Sequence, residues 1–255
     1  MKGIKNFVFD LDGTLIFEGK PLTSALSDTL IELEAAGINT YFATARPLRD
    51  TLPVLPKHFW DHTLIGCNGA MISKAQQVTN ANAFNKAQIV QLLEWLDREG
   101  IAYLYDGHYD YAISDKPHEF HQWVAKLGTP PTCNASLREQ QVIKLLVLEG
   151  SRYKEIKAYC EQHFDKFSFY HHSGTDCFDI VTEQSNKLSA LQLLQLDLSS
   201  TMCFGNDHND VAMLNAAKKA VVVGRGISLT RPHTLVCKNT IHTHLQTLLE
   251  TKRAS

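Results

Sequence analysis

No apolar run in this chain approaches the roughly 20 residues needed to cross a bilayer. No signal-peptide stretch follows Met1-Lys2-Gly3-Ile4-Lys5-Asn6. The simplest expectation is a cytoplasmic protein without a membrane partner. Charge of one sign is missing too: 25 Lys and Arg against 27 Asp and Glu leave a net charge of −2. No basic field therefore draws in nucleic acid. The six cysteines, at 67, 133, 160, 177, 203 and 237, make no CxxC pair, and most read as small core residues. Internal repeats and low-complexity tracts are also absent. What remains is 255 residues, 44% apolar, enough for one large domain or two modest ones.

Strands and helices alternate from the start. Ile4 to Phe9 is an apolar run that ends at Asp10 and reads as a buried strand. Ser24 opens a helix carrying Leu26, Leu30 and Leu33, which Gly37 stops. Thr40 to Ala43 and Thr63 to Cys67 are further strands, the second followed by the turn signal Asn68-Gly69. This alternation predicts an α/β fold with a doubly wound, mostly parallel sheet, Rossmann-like and covered on both faces.

The middle of the chain has a different rhythm. Asp106-Gly107 suggests a two-residue hairpin turn, with Tyr105 opposite His108 and Leu104 opposite Tyr109. One face would hold Tyr103, Tyr105, His108 and Asp110, polar and aromatic enough to meet a ligand. The other, with Ala102, Leu104, Tyr109, Tyr111 and Ile113, would pack on helices. Val142 to Leu148, Phe167 to Tyr170 and Cys177 to Thr182 read as more strands, with a helix from Ser151 to about Phe164. Hairpins with interspersed helices predict an inserted α+β domain at 80–183. The core is expected from 1–79 and 184–255, where strands Thr201 to Phe204 and Ala220 to Val223 resume the alternation.

Two acidic clusters carry the chemistry: Asp10-Leu11-Asp12-Gly13-Thr14 and Gly205-Asn206-Asp207-His208-Asn209-Asp210. Both follow apolar strands, where ligands bind in open α/β sheets. Carboxylates grouped there repel one another, and a hard cation such as Mg²⁺ relieves this. A carboxylate oxygen left over can attack an electrophile, an arrangement suited to phosphoryl transfer. Thr44 ends the second strand, and its hydroxyl and the following N–H groups at a helix start suit phosphoryl oxygens. Lys187 matters because a dianionic phosphate beside carboxylates needs a cation. The histidine pairs His118/His121, His171/His172 and His242/His244 lack a third ligand nearby in sequence and are expected at the surface. Trp60, Trp95 and Trp123 are expected to pack.

In this order, Asp-x-Asp-Gly-Thr, Thr44, Lys187 and the Gly205–Asp210 loop, the chain resembles the haloacid dehalogenase superfamily of phosphatases over its whole length. Asn68-Gly69-Ala70 and the long insert resemble its Cof-type branch, with the mixed α/β cap called C2B. The resemblance implies a nucleophile at Asp10 that becomes an aspartyl-phosphate, and a general acid and base at Asp12. It implies phosphoryl or substrate contacts from Thr44, Ala45, Lys187 and Asn209. It implies Mg²⁺ held by Asp10, Asp12 through its carbonyl, and the late loop, where Asn206, Asp207 and Asp210 all stand as candidates.

Three departures from the branch pattern stand out. Thr44-Ala45-Arg46 replaces Thr-Gly-Arg, Gly205-Asn206 replaces Gly-Asp, and Gly224-Arg225 replaces a Gly-Asn pair. The function expected is hydrolysis of small phosphorylated metabolites, such as sugar phosphates or nucleotide-like cofactors, by a monomer or homodimer. A phosphomutase sharing the aspartyl-phosphate and a catalytically weakened binding protein are the alternatives.

Overall fold

The computed structural model describes residues 1–126, 130–133, 140–164, 167–172 and 175–254. Strands come first as β1 (Asn6–Phe9), β2 (Asn39–Ala43), β3 (Leu64–Gly66), β4 (Met71–Lys74) and β5 (Gln77–Ala81). Then follow β6 (Tyr103–Asp106), β7 (Tyr111–Ile113), β8 (Lys144–Val147), β9 (Phe167–His171) and β10 (Phe178–Thr182). The last are β11 (Thr201–Gly205), β12 (Lys219–Val223) and β13 (Thr234–Val236).

The larger sheet runs β13-β12-β11-β1-β2-β3-β4-β5. Its first six strands are mutually parallel, and β4 and β5 add an antiparallel edge. From β1 the order moves outward through β2 on one side and through β11 on the other. That is the switch point at which open α/β sheets bind ligands.

The alternation of the strands explains why both faces are covered. Phe7, Phe9, Phe42 and Phe204 point to one face. They pack with Leu30 and Leu33 of α1 (Ser24–Ala35) and Leu245 and Leu249 of the C-terminal helix (Ile241–Arg253). Val8, Ala43, Cys203 and Val222 point to the other, against Ala190 and Leu191 of the helix Lys187–Leu193 and Met213 and Leu214 of the helix Val211–Ala216. Thr23 caps α1, one residue ahead of the Ser24 expected, its hydroxyl accepting from the Leu26 N–H. No helix among the described residues is long and apolar enough to cross a membrane.

The smaller sheet, β7-β6-β8-β10-β9, is antiparallel throughout. One face buries Tyr103, Tyr105, Leu145, Val147, Phe178 and Ile180. The helices Lys86–Arg98 and Tyr153–His163 cover that face with Ile89, Leu92, Leu93, Leu96 and Ile156. The opposite face carries Leu104, Asp106, Lys144 and Leu146 toward the larger sheet.

This reverses the expected assignment of hairpin faces. The pairing is Asp106 with Tyr111, Tyr105 with Ala112 and Leu104 with Ile113. The turn therefore spans Gly107 to Asp110, with the Gly107 N–H donating to the Asp110 carbonyl at 2.8 Å. Asp106 is a strand residue because Arg49 and Lys144 neutralise it. Tyr103 enters the core because its hydroxyl donates to Asp97 Oδ1 at 2.7 Å, so burying the ring strands no polar group.

Candidate active site

The end of β1 delivers Asp10 to the switch point, 5% exposed. Its two carboxylate oxygens have different partners. Oδ1 accepts from Lys187 Nζ at 2.6 Å, and Oδ2 accepts from the Thr14 hydroxyl at 2.9 Å. Lys187 opens its helix, where an Asn186–Ser189 capping box fixes the first turn. Its ammonium, 1% exposed, also donates to Asp210 Oδ1 at 2.6 Å.

Asp210 stands behind this pair. Its other oxygen accepts the N–H groups of Asn206 (2.8 Å) and Asp207 (3.0 Å). The loop can fold back on itself this tightly because residue 205 is glycine. A Cβ there would lie 2.6 Å from the Asp210 side chain.

One ammonium between two buried carboxylates leaves a negative charge over. Burial, and then the charge of Asp210, push Asp10 up to about 7, although Lys187 pulls the other way. Burial disfavours the Lys187 charge, yet Asp10 and Asp210 together hold its pKa above the ordinary lysine value. The surplus charge asks for a cation. The donor set beside Asp10 suits a hard one: Asp10 Oδ2, the Asp12 carbonyl oxygen and the side-chain amide of Asn206 converge. The same terminal amide atom lies 2.8 Å from each of the first two and 2.9 Å from Thr14 Oγ1. As nitrogen it has two hydrogens to share among the three acceptors. Turned to present oxygen, the spacing matches the edge of about 2.9 Å between neighbouring ligands of octahedral Mg²⁺. The residues therefore fit Mg²⁺.

Asp12 sits at the rim with its side chain 47% exposed. Arg46 grips it in a fork, Nε and Nη2 each 2.6 Å from a carboxylate oxygen. Thr44 is buried at the end of β2, and its hydroxyl accepts the Arg46 N–H at 3.1 Å. It belongs to a side-chain-closed turn rather than to a helix start, since the next helix (Leu48–Thr51) begins only after Pro47. Ala45 lies within this turn and lines the crevice. Asp207 caps the turn at 208–210, accepting the His208 N–H at 2.7 Å, and also lines the crevice. Asn209 does so as well, while its amide donates to Asn68 Oδ1 at 2.8 Å. The structure thus brings all the expected residues to one place. Asp12, Thr44, Ala45, Asn206, Asp207 and Asn209 border the opening with Asp10, while Lys187 and Asp210 stand beneath.

The crevice continues as a cavity of about 270 Å³ between the two sheets. One wall is apolar, made of Leu104, Leu146, Phe120, Val124 and Trp123. The other is a buried charge network that the sequence reading missed. Arg49 Nη2 donates to Asp106 Oδ1 at 3.1 Å. Lys144 Nζ reaches Asp179 Oδ1 at 3.3 Å and the Ala45 carbonyl at 3.3 Å. Asn68 donates to Asp179 Oδ2 at 2.8 Å. Asp106, Lys144 and Asp179 all come from the smaller sheet. Arg49, on the helix Leu48–Thr51, and Ala45 and Asn68 come from the connections between strands of the larger. These buried contacts hold the two sheets in register across the site.

The expected surface placement of His172 fails here. It lines the cavity 3.1 Å from Asp179 Oδ2, whose charge raises its pKa above the usual imidazole range. His172 stays partly exposed, whereas His121 is buried, with Nε2 2.9 Å from the Tyr103 carbonyl. Trp123 is 47% exposed rather than packed away. A signal for the missed residues exists in the strands themselves: a lone charge inside an apolar run, as in Lys144-Leu145-Leu146-Val147 and Phe178-Asp179-Ile180-Val181.

A sequence model of the haloacid dehalogenase-like hydrolases matches residues 7–239. A protein of Mycoplasma pneumoniae with a provisional phosphatase name is 28% identical over 257 residues, covering 89% of each chain. An HMP-PP phosphatase of Yersinia pseudotuberculosis is 25% identical over 234 residues, covering 86% of this chain and 83% of its own. Among solved structures, a protein of Thermotoga maritima superposes with a TM-score of 0.79 at 20% identity, covering 97% of both chains. A sugar phosphatase of haloacid dehalogenase subclass IIB superposes with a TM-score of 0.76 at 18% identity, covering 96% of this chain and 98% of that one. At such identities the superpositions speak for the fold alone.

Proposed function

Because the chain belongs to the haloacid dehalogenase-like hydrolases, we propose that it is a phosphatase that hydrolyses phosphate monoesters of small metabolites, with Asp10 as nucleophile. The observation that carries this reading is the placement of Asp10. It is a buried carboxylate at the switch point, held by Lys187 and Thr14, with a second carboxylate, Asp12, at the mouth of the same crevice.

In this reading Asp10 attacks phosphorus and the ester P–O bond breaks. The departing oxygen takes a proton from Asp12; water then attacks phosphorus while giving a proton back to Asp12, and the P–O bond to Asp10 breaks, freeing the Asp10 carboxylate and inorganic phosphate. Two displacements replace one, and the loose transition state makes positioning and charge neutralisation the main demands. Lys187 supplies positive charge beneath the phosphoryl group, and the Thr44–Ala45 turn borders it. Arg46 orients the Asp12 carboxylate at the rim. Asp10, the Asp12 carbonyl and Asn206 would hold Mg²⁺, with Asp207 at the crevice edge and Asp210 anchoring the loop from behind. The ion would neutralise phosphoryl charge and so let an anionic nucleophile approach.

Residues 80–183 act in this reading as the cap over a core of 1–79 and 184–255. The five-stranded sheet between Tyr103 and Thr182 supports that division, with β5 carrying the larger sheet past the first boundary to Ala81. Phosphate release from a panel of small monoesters, with Mg²⁺ and with EDTA, tests the function. Release that needs Mg²⁺ and yields no isomerised phosphate ester is expected. An isomerised product would point to a mutase instead, and no release from any ester would sink the hydrolase reading.

The half-apolar cavity has a consequence for substrate choice. Trp123→Ala is expected to lower kcat/KM about fivefold to tenfold for an aromatic phosphomonoester, through roughly 1–1.5 kcal/mol of lost contact. The phosphate of a three-carbon alcohol should be hydrolysed nearly as before. Equal losses for both esters would show that Trp123 acts on the fold rather than on the leaving group.

A further inference from the structure

Away from the crevice, Glu34, His58 and His62 bring a carboxylate oxygen and two imidazole nitrogens within 4.8 Å of one another. Glu34 lies near the end of α1. His58 lies in the 3-10 turn Lys57–Phe59 and His62 just beyond it, ahead of β3. His58 Nε2 is 3.0 Å from Glu34 Oε2, and His62 Nε2 is 2.7 Å from Glu34 Oε1. None of the three lines the catalytic cavity.

We propose that Glu34, His58 and His62 form a second cation site, selective for a borderline transition metal such as Zn²⁺. Two imidazoles and one carboxylate make a donor set that binds Zn²⁺ and leaves a fourth position for water. Three features of the fold prepare it. Phe59, fully buried, packs against both imidazoles, with ring centroids 5.0 Å from His58 and 5.2 Å from His62. Phe42 of β2 packs on His62 at 6.2 Å, so that ring is braced from the sheet side as well. The His58 side chain is 47% exposed, which leaves the cluster open to solvent for metal and water.

Ligand chemistry separates this site from the catalytic one. The all-oxygen set at Asp10, Asp12 and Asn206 suits a hard ion, whereas imidazole nitrogens prefer Zn²⁺, Ni²⁺ or Cu²⁺. A metal here would tie α1 to the turn that precedes β3. It would stabilise the native chain in proportion to its occupancy.

The test is calorimetric titration of Zn²⁺ into the full chain with Mg²⁺ in large excess. One equivalent is expected to bind the wild type. Affinity should fall at least tenfold in His58→Gln/His62→Gln, whose Mg²⁺-dependent phosphate release stays unchanged. A parallel measurement on the wild type alone guards against a misfolded variant: Zn²⁺ should raise its melting temperature above that in Mg²⁺ alone. Wild-type protein that binds no zinc under these conditions overturns the proposal. So does a folded double variant that binds it equally well.

Discussion

Asp10→Asn is expected to abolish phosphate release, on the order of 10⁴-fold or more, and yet to raise the melting temperature of the metal-free protein at pH 8. The loss follows from removing the nucleophile. The gain follows from the electrostatics of the cluster. Asp10 titrates near 3.8 in the unfolded chain and is pushed up to about 7 in the native one. Between these values the unfolded chain ionises while the native protein keeps its proton. Native stability therefore falls as pH rises through that window, and the deficit is complete above about pH 7. Asparagine never ionises, so the variant escapes the deficit while Lys187 keeps Asp210 as its partner. The difference should be nil near pH 4 and grow to roughly 2–4 kcal/mol above pH 7, allowing for the Asp10–Lys187 attraction that is lost. In melting temperature that is roughly 5–10 °C for a chain of this size. Melting curves in EDTA from pH 4 to 8 measure it. A gap that does not widen with pH would contradict the charge reading of the site.

Lys187→Met should be the most destabilising single change at the site. It leaves Asp10 and Asp210 facing each other, 5% and 0% exposed, with no counter-charge. Breaking a buried ion pair from one side costs about 3–5 kcal/mol. The Lys187 pKa is raised in the native state, so its contribution is fully present below the unfolded value of 10.5 and is lost only at higher pH. The loss at neutral pH is therefore undiminished. Acid should repair the variant, because protonating Asp10, already pushed up by burial, removes the repulsion. Mg²⁺ should repair it in part, by neutralising Asp10. Denaturant unfolding at pH 5 and pH 8, with and without Mg²⁺, tests this. A variant equally unstable at both pH values and indifferent to Mg²⁺ would show that Lys187 is held for packing and not for charge. Activity should be lost in either case.

The parts of this protein most legible in its sequence are those whose chemistry is local. Asp10 and Asp12 are two residues apart, and Asn206 to Asp210 are consecutive, so their grouping needs no tertiary knowledge. The buried strands were equally plain, because a parallel sheet covered on both faces turns each strand into a continuous apolar run. The second wall of the cavity was not legible. Arg49, Asp106, Lys144 and Asp179 lie on four separate segments, and each alone resembles an ordinary charged residue. The hairpin was misread for a related reason. Asp106-Gly107 carries a strong turn signal, but Arg49, from 57 residues upstream, stabilises Asp106 inside the strand. Tyrosine hydroxyls made Tyr103 and Tyr105 look suited to a ligand, although a buried acceptor such as Asp97 lets Tyr103 behave as a core residue. His58, His62 and Glu34 escaped notice because the third donor lies a helix and a strand away from the pair.

The central position of β1 also bears on how the chain is made. One edge of β1 is closed by β2, which begins 30 residues later; the other waits for β11, whose first residue, Thr201, pairs with Asn6. At roughly 5–20 residues per second, a ribosome needs about 10–40 s to span that interval. Through it, the edge of the Asn6–Phe9 strand is open to the wrong partner, and such edges seed aggregation. The five-stranded sheet, drawn wholly from residues synthesised within the interval, pairs only with its own strands. The nascent chain can thus bury the hydrophobic surface of its middle before its two ends meet.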